Sequence, residues 1–164
     1  MLFRYIRLTC CVVMLPLLLV ACDTAEERAE KHYQNDVALL EKGDIPRALV
    51  ELKNVFDLNG KHRDARATYA RTVLSQGNLS DAFGQYLRLV EQYPDDLEGR
   101  LMLSEMGILM DNWDAAEAHG AVLEDLAPDA PRAKIVQVAI KYREAVVADD
   151  APARREAAKD AVAL

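Results

Sequence analysis

The chain has 164 residues and a formal net charge of −7, with 51% apolar residues but only 6% aromatic ones. That length suits one domain, and the acidic balance argues against nucleic-acid binding, which needs a basic face. Ala and Leu are abundant, and because these residues lose little on helix formation, the composition favours a helical fold.

The first 21 residues are predicted to form a targeting segment. Arg4 and Arg7 give it a positive start, and residues 8–20 are mostly apolar and precede the small residue Ala21. This apolar stretch is shorter than the roughly 20 residues that a membrane-spanning helix needs. Its length and its flanking residues are instead typical of a signal peptide.

The four residues Leu19 to Cys22 resemble a bacterial lipobox, in which the signal peptide is removed before a lipid-carrying Cys. The resemblance implies lipidation of Cys22, loss of Cys10 and Cys11, and a short tether over residues 22–28. The protein would then be anchored in a bacterial cell envelope and face the periplasm. The following Asp23 favours the inner membrane, as it does in enterobacterial lipoproteins. An uncleaved anchor, or a plain signal peptide with a coincidental Cys, remains the alternative.

Similar residues recur about every 34 residues after Ala29. The fifteenth positions are Gly43, Gly77 and Asp111, the twentieth are Ala48, Ala82 and Ala116, and the thirty-second are Gly60, Pro94 and Pro128. This register resembles the tetratricopeptide repeat. It implies an all-α solenoid of antiparallel helix pairs with about 3.5–4 repeats. The repeats are assigned to residues 29–62, 63–96 and 97–130, with a degenerate or incomplete fourth over 131–164.

Helix-start and helix-stop residues divide each repeat into two helices. Asp44 and Pro46 after Gly43 read as an N-cap and a Pro in the first turn, and Asn78 and Asn112 take the capping place in later repeats. Small Ala residues at the twentieth position should let paired helices approach closely. The expected helices are near 26–42, 45–58, 63–75, 79–92, 97–110, 113–126 and 131–148, with an eighth from about 152.

Two positions depart from the repeat pattern. Asp36 replaces a small residue at position 8, and Gly120 replaces a large apolar residue at position 24. In the fourth segment the first helix is expected to run past its usual stop and to turn at residues 149–152. No polar capping helix follows it. The sequence therefore predicts either the N-terminal part of a longer array or an open end that meets a partner.

No catalytic, cofactor or metal site is expected, and the chain is interpreted as a non-enzyme. The tripeptide His62-Arg63-Asp64 matches a kinase catalytic-loop motif but lacks its companion motifs, and a solvated turn between repeats is expected there. His32 and His119 lie in different predicted helices without metal-ligand spacing, so they are expected to be half-buried helix residues.

In tetratricopeptide arrays the first helix of each pair lines a concave groove, and the resemblance places a protein-binding face there. The candidate groove residues are Tyr33, Val37, Leu40, Arg71, Leu74, Leu101, Glu105, Ile108 and Tyr142. The charges at Arg71, Glu105 and Arg143 are expected to be isolated in an otherwise apolar lining. Such a lining suits an amphipathic helix or an extended apolar peptide. Alternatively, several of these side chains pack between helices.

The expected function is a membrane-anchored scaffold that binds a protein or peptide in cell-envelope assembly, secretion or polysaccharide export. Lipoproteins of exosortase-linked export systems are similar in layout, and residues 48–55 resemble a helix of their first repeat. Two alternatives stay open. The chain could be the N-terminal recruitment module of a longer enzyme, or a structural oligomeriser that stacks through its C-terminal face.

Overall fold

The computed structural model describes residues 23–163, which form eight α-helices and no strand. The helices are α1 (Ala25–Glu41), α2 (Ile45–Leu58), α3 (Arg63–Ser75), α4 (Leu79–Gln92), α5 (Leu97–Leu109), α6 (Trp113–Leu126), α7 (Pro131–Val147) and α8 (Ala151–Ala163). The predicted helix limits agree with these bounds to within a single residue. The signal peptide over 1–21 and the lipidation site at Cys22 lie outside the described residues.

Consecutive helices form four hairpins, α1–α2, α3–α4, α5–α6 and α7–α8, each pair making extensive contact. The hairpins stack in chain order through α2 on α3, α4 on α5 and α6 on α7, and the first helices α5 and α7 also touch. No helix between residues 23 and 163 combines the length and the apolar character that a membrane crossing requires.

The turns inside the hairpins use residues with a left-handed backbone. Gly43 (φ 72°) and Gly77 (φ 79°) supply it in the first two hairpins, and Asp111 (φ 57°) and Asp149 (φ 53°) in the last two. Gly tolerates this conformation best, and Asp is one of the few other residues that does. Asp149 comes about one helical turn after the position that the register assigns. The expected extension of the first helix in the fourth segment is therefore confirmed.

Small residues let the paired helices touch. Ala48, Ala82 and Ala116 are fully buried, which confirms the close approach predicted for the twentieth position. A Cβ atom added to Gly107 in α5 would lie 2.8 Å from the backbone nitrogen of Ala116 in α6. The backbones of α5 and α6 are therefore in direct contact at this crossing.

Gly120 departs from the repeat pattern because a later helix fills its place. A Cβ atom added to Gly120 would lie 2.6 Å from Cδ1 of Ile140 and 3.4 Å from Cγ1 of Val136, both in α7. Ile140 thus occupies the volume that a large side chain at position 24 normally takes. The repeat register is kept because Ile140, in the next hairpin of the same chain, supplies the missing volume.

The second departure, Asp36, buries a carboxyl group between α1 and α2. The side chain is fully buried, and neither of its oxygens has a hydrogen-bond partner. Burial raises the pKa of Asp36 to about 6, and the nearby charge of Glu51 adds to the effect. Glu51 itself is held by Nδ1 of His32 at 2.5 Å. The hairpin therefore carries an uncompensated buried acid.

The main hydrophobic core extends from α1 to α5. Its largest fully buried side chains are Leu52, Tyr86, Leu89 and Leu103. Beyond α5 the buried set is smaller, and α8 buries only Ala157. The last hairpin is thus attached through Val136 and Ile140 of α7 together with small side chains.

Candidate functional site

The nine candidate groove residues all reach the surface. Arg71 and Tyr142 are exposed, and the other seven are partly exposed. They lie on the first helices α1, α3, α5 and α7, which the repeat register places on one face. This set of side chains is here called the concave face. Two of its members, Tyr33 and Leu74, also pack against the hydrophobic core.

At the N-terminal end of the concave face, Tyr33 is anchored to the next hairpin. Its ring lies 5.0 Å from that of His62 between centroids, and its hydroxyl is 3.5 Å from Oγ1 of Thr68. Tyr33 therefore joins α1 to α3 as well as facing solvent.

The charges on this face are not isolated, which corrects the prediction for Arg71 and Glu105. Arg71 donates from Nη1 to Oε1 of Glu98 at 2.5 Å, which joins α3 to α5. Arg132 of α7 donates from Nε to Oε1 of Glu105 at 2.9 Å, which joins α5 to α7. These pairs link each first helix to the next and neutralise the charges within the array.

A third ion pair lies at the junction between the second and third hairpins. Together we call the three pairs the ion-pair ladder. Arg63 donates from Nε to Oδ2 of Asp96 at 2.7 Å, and Asp96 also caps α5 by accepting from the Gly99 amide at 2.7 Å. The carboxylates of Asp64 and Asp96 raise the pKa of Arg63. Arg63 is therefore a fixed structural cation.

The solvated turn expected at His62-Arg63-Asp64 is also corrected, because His62 is largely covered. Its side chain is 14% exposed and caps α3 by accepting from the Ala65 amide through Nδ1 at 3.1 Å. Its Nε2 lies 3.2 Å from Oε2 of Glu30 in α1. The tripeptide thus links its own hairpin to the first through His62 and to the third through Arg63.

Tyr86 lies beneath the ion-pair ladder. The side chain is fully buried, and its hydroxyl has no hydrogen-bond partner. Burial is the main cause that raises its pKa to about 12, and the charge of Glu98 contributes. The phenol therefore stays neutral and acts as a core side chain.

The C-terminal end of the concave face opens into an apolar groove of about 610 Å³ between α6, α7 and α8. We call it the α7 groove. Its lining residues are Trp113, Ile135, Val138, Ala139, Tyr142, Arg143, Val146, Ala157, Ala158 and Ala161. Arg143 is the one charged residue among them, and its guanidinium Cζ lies 5.4 Å from the centre of the Trp113 ring.

Only one of the nine candidate residues, Tyr142, lines the α7 groove. Sequence reasoning missed Trp113 and Val146 in particular. Val146 lies in the extra turn of α7, beyond the position where the repeat register ends a first helix. Trp113, the only Trp of the chain, begins a second helix, whereas the repeat pattern assigns the groove positions to first helices.

Two further titratable side chains, the imidazoles of His32 and His119, lie among the packed helices. His32 and His119 are half-buried, as predicted. Nδ1 of His119 lies 2.9 Å from Nη1 of Arg100, and burial followed by the Arg100 charge lowers its pKa. Over residues 23–163, no three His, Cys, Asp or Glu side chains are grouped to hold a metal ion.

Comparison with known proteins gives a consistent result for the fold. Residues 39–98 match the tetratricopeptide-repeat family model. The TPR domain of Arabidopsis OM64 is structurally similar, with a TM-score of 0.62 and 14% sequence identity over 73% of this chain and 98% of that chain. No curated protein matches the sequence significantly. The likeness confirms the predicted all-α solenoid of antiparallel helix pairs.

Proposed function

We propose that this tetratricopeptide-repeat protein is a scaffold that binds a partner protein on its concave face. The observation that supports this most directly is that all nine candidate groove residues are exposed or partly exposed. The ion pairs of Arg71 and Arg132 already neutralise the charges of this face internally. Its remaining binding capacity is therefore largely apolar, which favours protein partners over charged small molecules.

The proposed location is the periplasmic side of a bacterial membrane, with lipid on Cys22. This proposal depends on the sequence of residues 1–22 and on Asp23. In the fold, Oδ2 of Asp23 accepts a hydrogen bond from Nζ of Lys31 at 2.5 Å. The acidic body would be repelled by anionic lipid head groups, so a lipid anchor would have to hold it at the membrane. A role in envelope assembly, secretion or polysaccharide export fits such a tethered scaffold.

The anchor can be tested by replacing Cys22 with Ser in cells. We expect labelled palmitate to be incorporated into the unmodified chain and not into Cys22→Ser, and the variant to keep its signal peptide and to migrate as the longer precursor. A variant that stays membrane-bound and labelled would contradict lipidation at Cys22.

The binding face can be tested with the double variant Leu101→Asp and Ile108→Asp. Both side chains are partly exposed on α5, so the fold should survive, which circular dichroism checks. We expect the full-length variant to capture fewer partners from detergent-solubilised cells than the unmodified chain. Val50→Asp is the control, because Val50 is 56% exposed on the second helix α2. Unchanged capture by a folded double variant would remove the concave face from the proposal.

A further inference from the structure

The exposed apolar side chains of α7 follow a helical repeat. Ile135, Ala139, Tyr142 and Val146 lie three or four residues apart and line one wall of the α7 groove. Ile135 is 55% exposed and Tyr142 is 47% exposed, although both are large. Such a stripe normally packs against another element, and no element within residues 23–163 covers it.

The groove offers very little to the backbone of a ligand. The indole nitrogen of Trp113 already donates to Asp111, and the other polar side chains of the lining are Tyr142 and Arg143. An extended peptide placed here would leave amide and carbonyl groups without partners, and each such group is costly when buried. A helix satisfies these groups within itself, so the lining favours a helical occupant.

The opposite wall of the groove consists of small side chains, which leave space for a helix. α8 contributes only Ala157, Ala158 and Ala161, whose side chains leave room for large residues from an incoming helix. Large side chains packing over small ones is the usual way in which helices interdigitate. The α7 residues that line the groove run from Ile135 to Val146, so they can contact about three turns of a partner helix.

Arg143 indicates the charge of the occupant. Arg63, Arg71 and Arg132 each contact a carboxylate within the array. Arg143 instead stacks on Trp113, and no carboxylate of residues 23–163 lies within salt-bridge distance of it. A cation in an apolar groove gains most from a carboxylate that the ligand brings with it.

We propose that the α7 groove binds an amphipathic helix of a partner protein, with an acidic side chain of that helix paired to Arg143. This inference rests on the proposed scaffold function and assigns its binding site to α6, α7 and α8.

Trp113 allows this to be tested directly, because it lies in the groove and is the only Trp of the chain. The probe is a Trp-free helical peptide of about 16 residues, with Leu at helical spacing and one central Glu. It is titrated into the full-length chain held in amphipol, which leaves no free micelles to absorb the peptide. We expect saturable changes in Trp113 emission, and about tenfold weaker binding when the peptide Glu is replaced by Lys.

Variants of the protein separate the groove from the rest of α7. Val146→Asp should weaken binding by at least about tenfold, because it puts a charge into the apolar wall. The matched control is Val147→Asp, whose side chain is 69% exposed and does not line the groove. Arg143→Gln should abolish the preference for Glu over Lys in the peptide. Equal effects of Val146→Asp and Val147→Asp, or an unchanged Glu preference in Arg143→Gln, would overturn the proposal.

A peptide of the same composition with a central Pro tests the helical form of the ligand. Binding as tight as that of the helical peptide would contradict a helical occupant. Sedimentation tests whether the occupant is a second copy of this chain. A dimer that Val146→Asp dissociates would overturn the partner assignment.

Cell capture with the same variants separates this inference from the proposed function. Loss of partners with Leu101→Asp and Ile108→Asp, but not with Val146→Asp, would keep the scaffold and refute the α7 groove. If neither the double variant nor Val146→Asp captures fewer partners than the unmodified chain, the scaffold function itself fails.

Discussion

The two ends of the array differ in what their side chains do. Helices α1 to α5 bury large side chains such as Leu52, Tyr86 and Leu103 in one continuous core. Helices α7 and α8 bury only two large side chains, Val136 and Ile140, and leave Ile135 and Tyr142 exposed. We therefore expect the first region to carry most of the stability, while the second, though shorter, has five exposed large apolar side chains.

The largest expected effect comes from a substitution in the core formed by α1 to α5. Leu103 is fully buried in α5, so Leu103→Ala should lower the free energy of unfolding by about 3 kcal/mol, through lost burial and a residual cavity. Val162 in α8 is 89% exposed, and Val162→Ala should change the free energy of unfolding by less than about 0.5 kcal/mol. Urea unfolding followed by circular dichroism measures both. A similar loss for the two variants would contradict the unequal distribution of stability.

The buried acid of the first hairpin should produce the next largest effect. The folded-state pKa of Asp36 is raised to about 6, so the folded chain holds a proton that the unfolded chain has already released. The contribution of Asp36 to the free energy of unfolding is therefore largest below about pH 4, and about 2 kcal/mol of it is lost as the pH rises to about 6. Asp36→Ala should remove this loss and make the protein more stable than the unmodified chain at pH 7.

The check on Asp36 is a series of urea unfolding curves from pH 4 to pH 7.5. Glu51→Gln is the control, because it removes a neighbouring charge and leaves the buried carboxyl in place. We expect it to reduce the pH dependence without removing it. If Asp36→Ala retains the pH dependence of the unmodified chain, the buried carboxyl is not its source.

The close crossing of α5 and α6 lies at the boundary between the two regions. Gly107→Ala would place a methyl group against backbone atoms of Ala116 and Asn112, which cannot move without shifting a helix. We expect a loss of about 1–2 kcal/mol in the free energy of unfolding. Gly84→Ala in α4 meets nothing within 4 Å and should stabilise by about 0.5 kcal/mol. Thermal unfolding distinguishes the two, and an equal loss of stability in both would contradict the steric contact at Gly107 as the cause.

The fold could be predicted from the sequence because its determinants are local. Turn residues such as Gly43 and Gly77 and buried residues such as Ala82 recur at fixed spacing, and each acts within its own hairpin. Gly120 shows where this reasoning stops. Its role depends on Ile140, a residue from the next hairpin whose proximity no repeat pattern encodes.

The site could be predicted only in part, for the same reason. Positions on the first helices correctly indicated accessible side chains such as Leu101 and Tyr142. The pairing of Arg71 with Glu98 was missed, because it joins residues that lie in different repeats. The wall formed by Trp113 was missed because it comes from a second helix. Contacts between repeats, and not positions within them, decide which part of the concave face is available.

The smallest expected effect tests how the helices of the two regions begin. Asn78 caps α4 by accepting from the Asp81 amide at 3.2 Å, whereas Ala130 precedes α7 without any side-chain cap. Asn78→Ala should therefore cost about 1 kcal/mol, and Ala130→Ser should add up to about 1 kcal/mol. Because Trp113 packs beside α7, its emission reports on the C-terminal region, while circular dichroism reports on all helices. Ala130→Ser should raise the urea midpoint of the Trp113 signal more than that of the helical signal. Equal shifts of both midpoints would mean that the array unfolds as a single unit, and that its two ends share one stability.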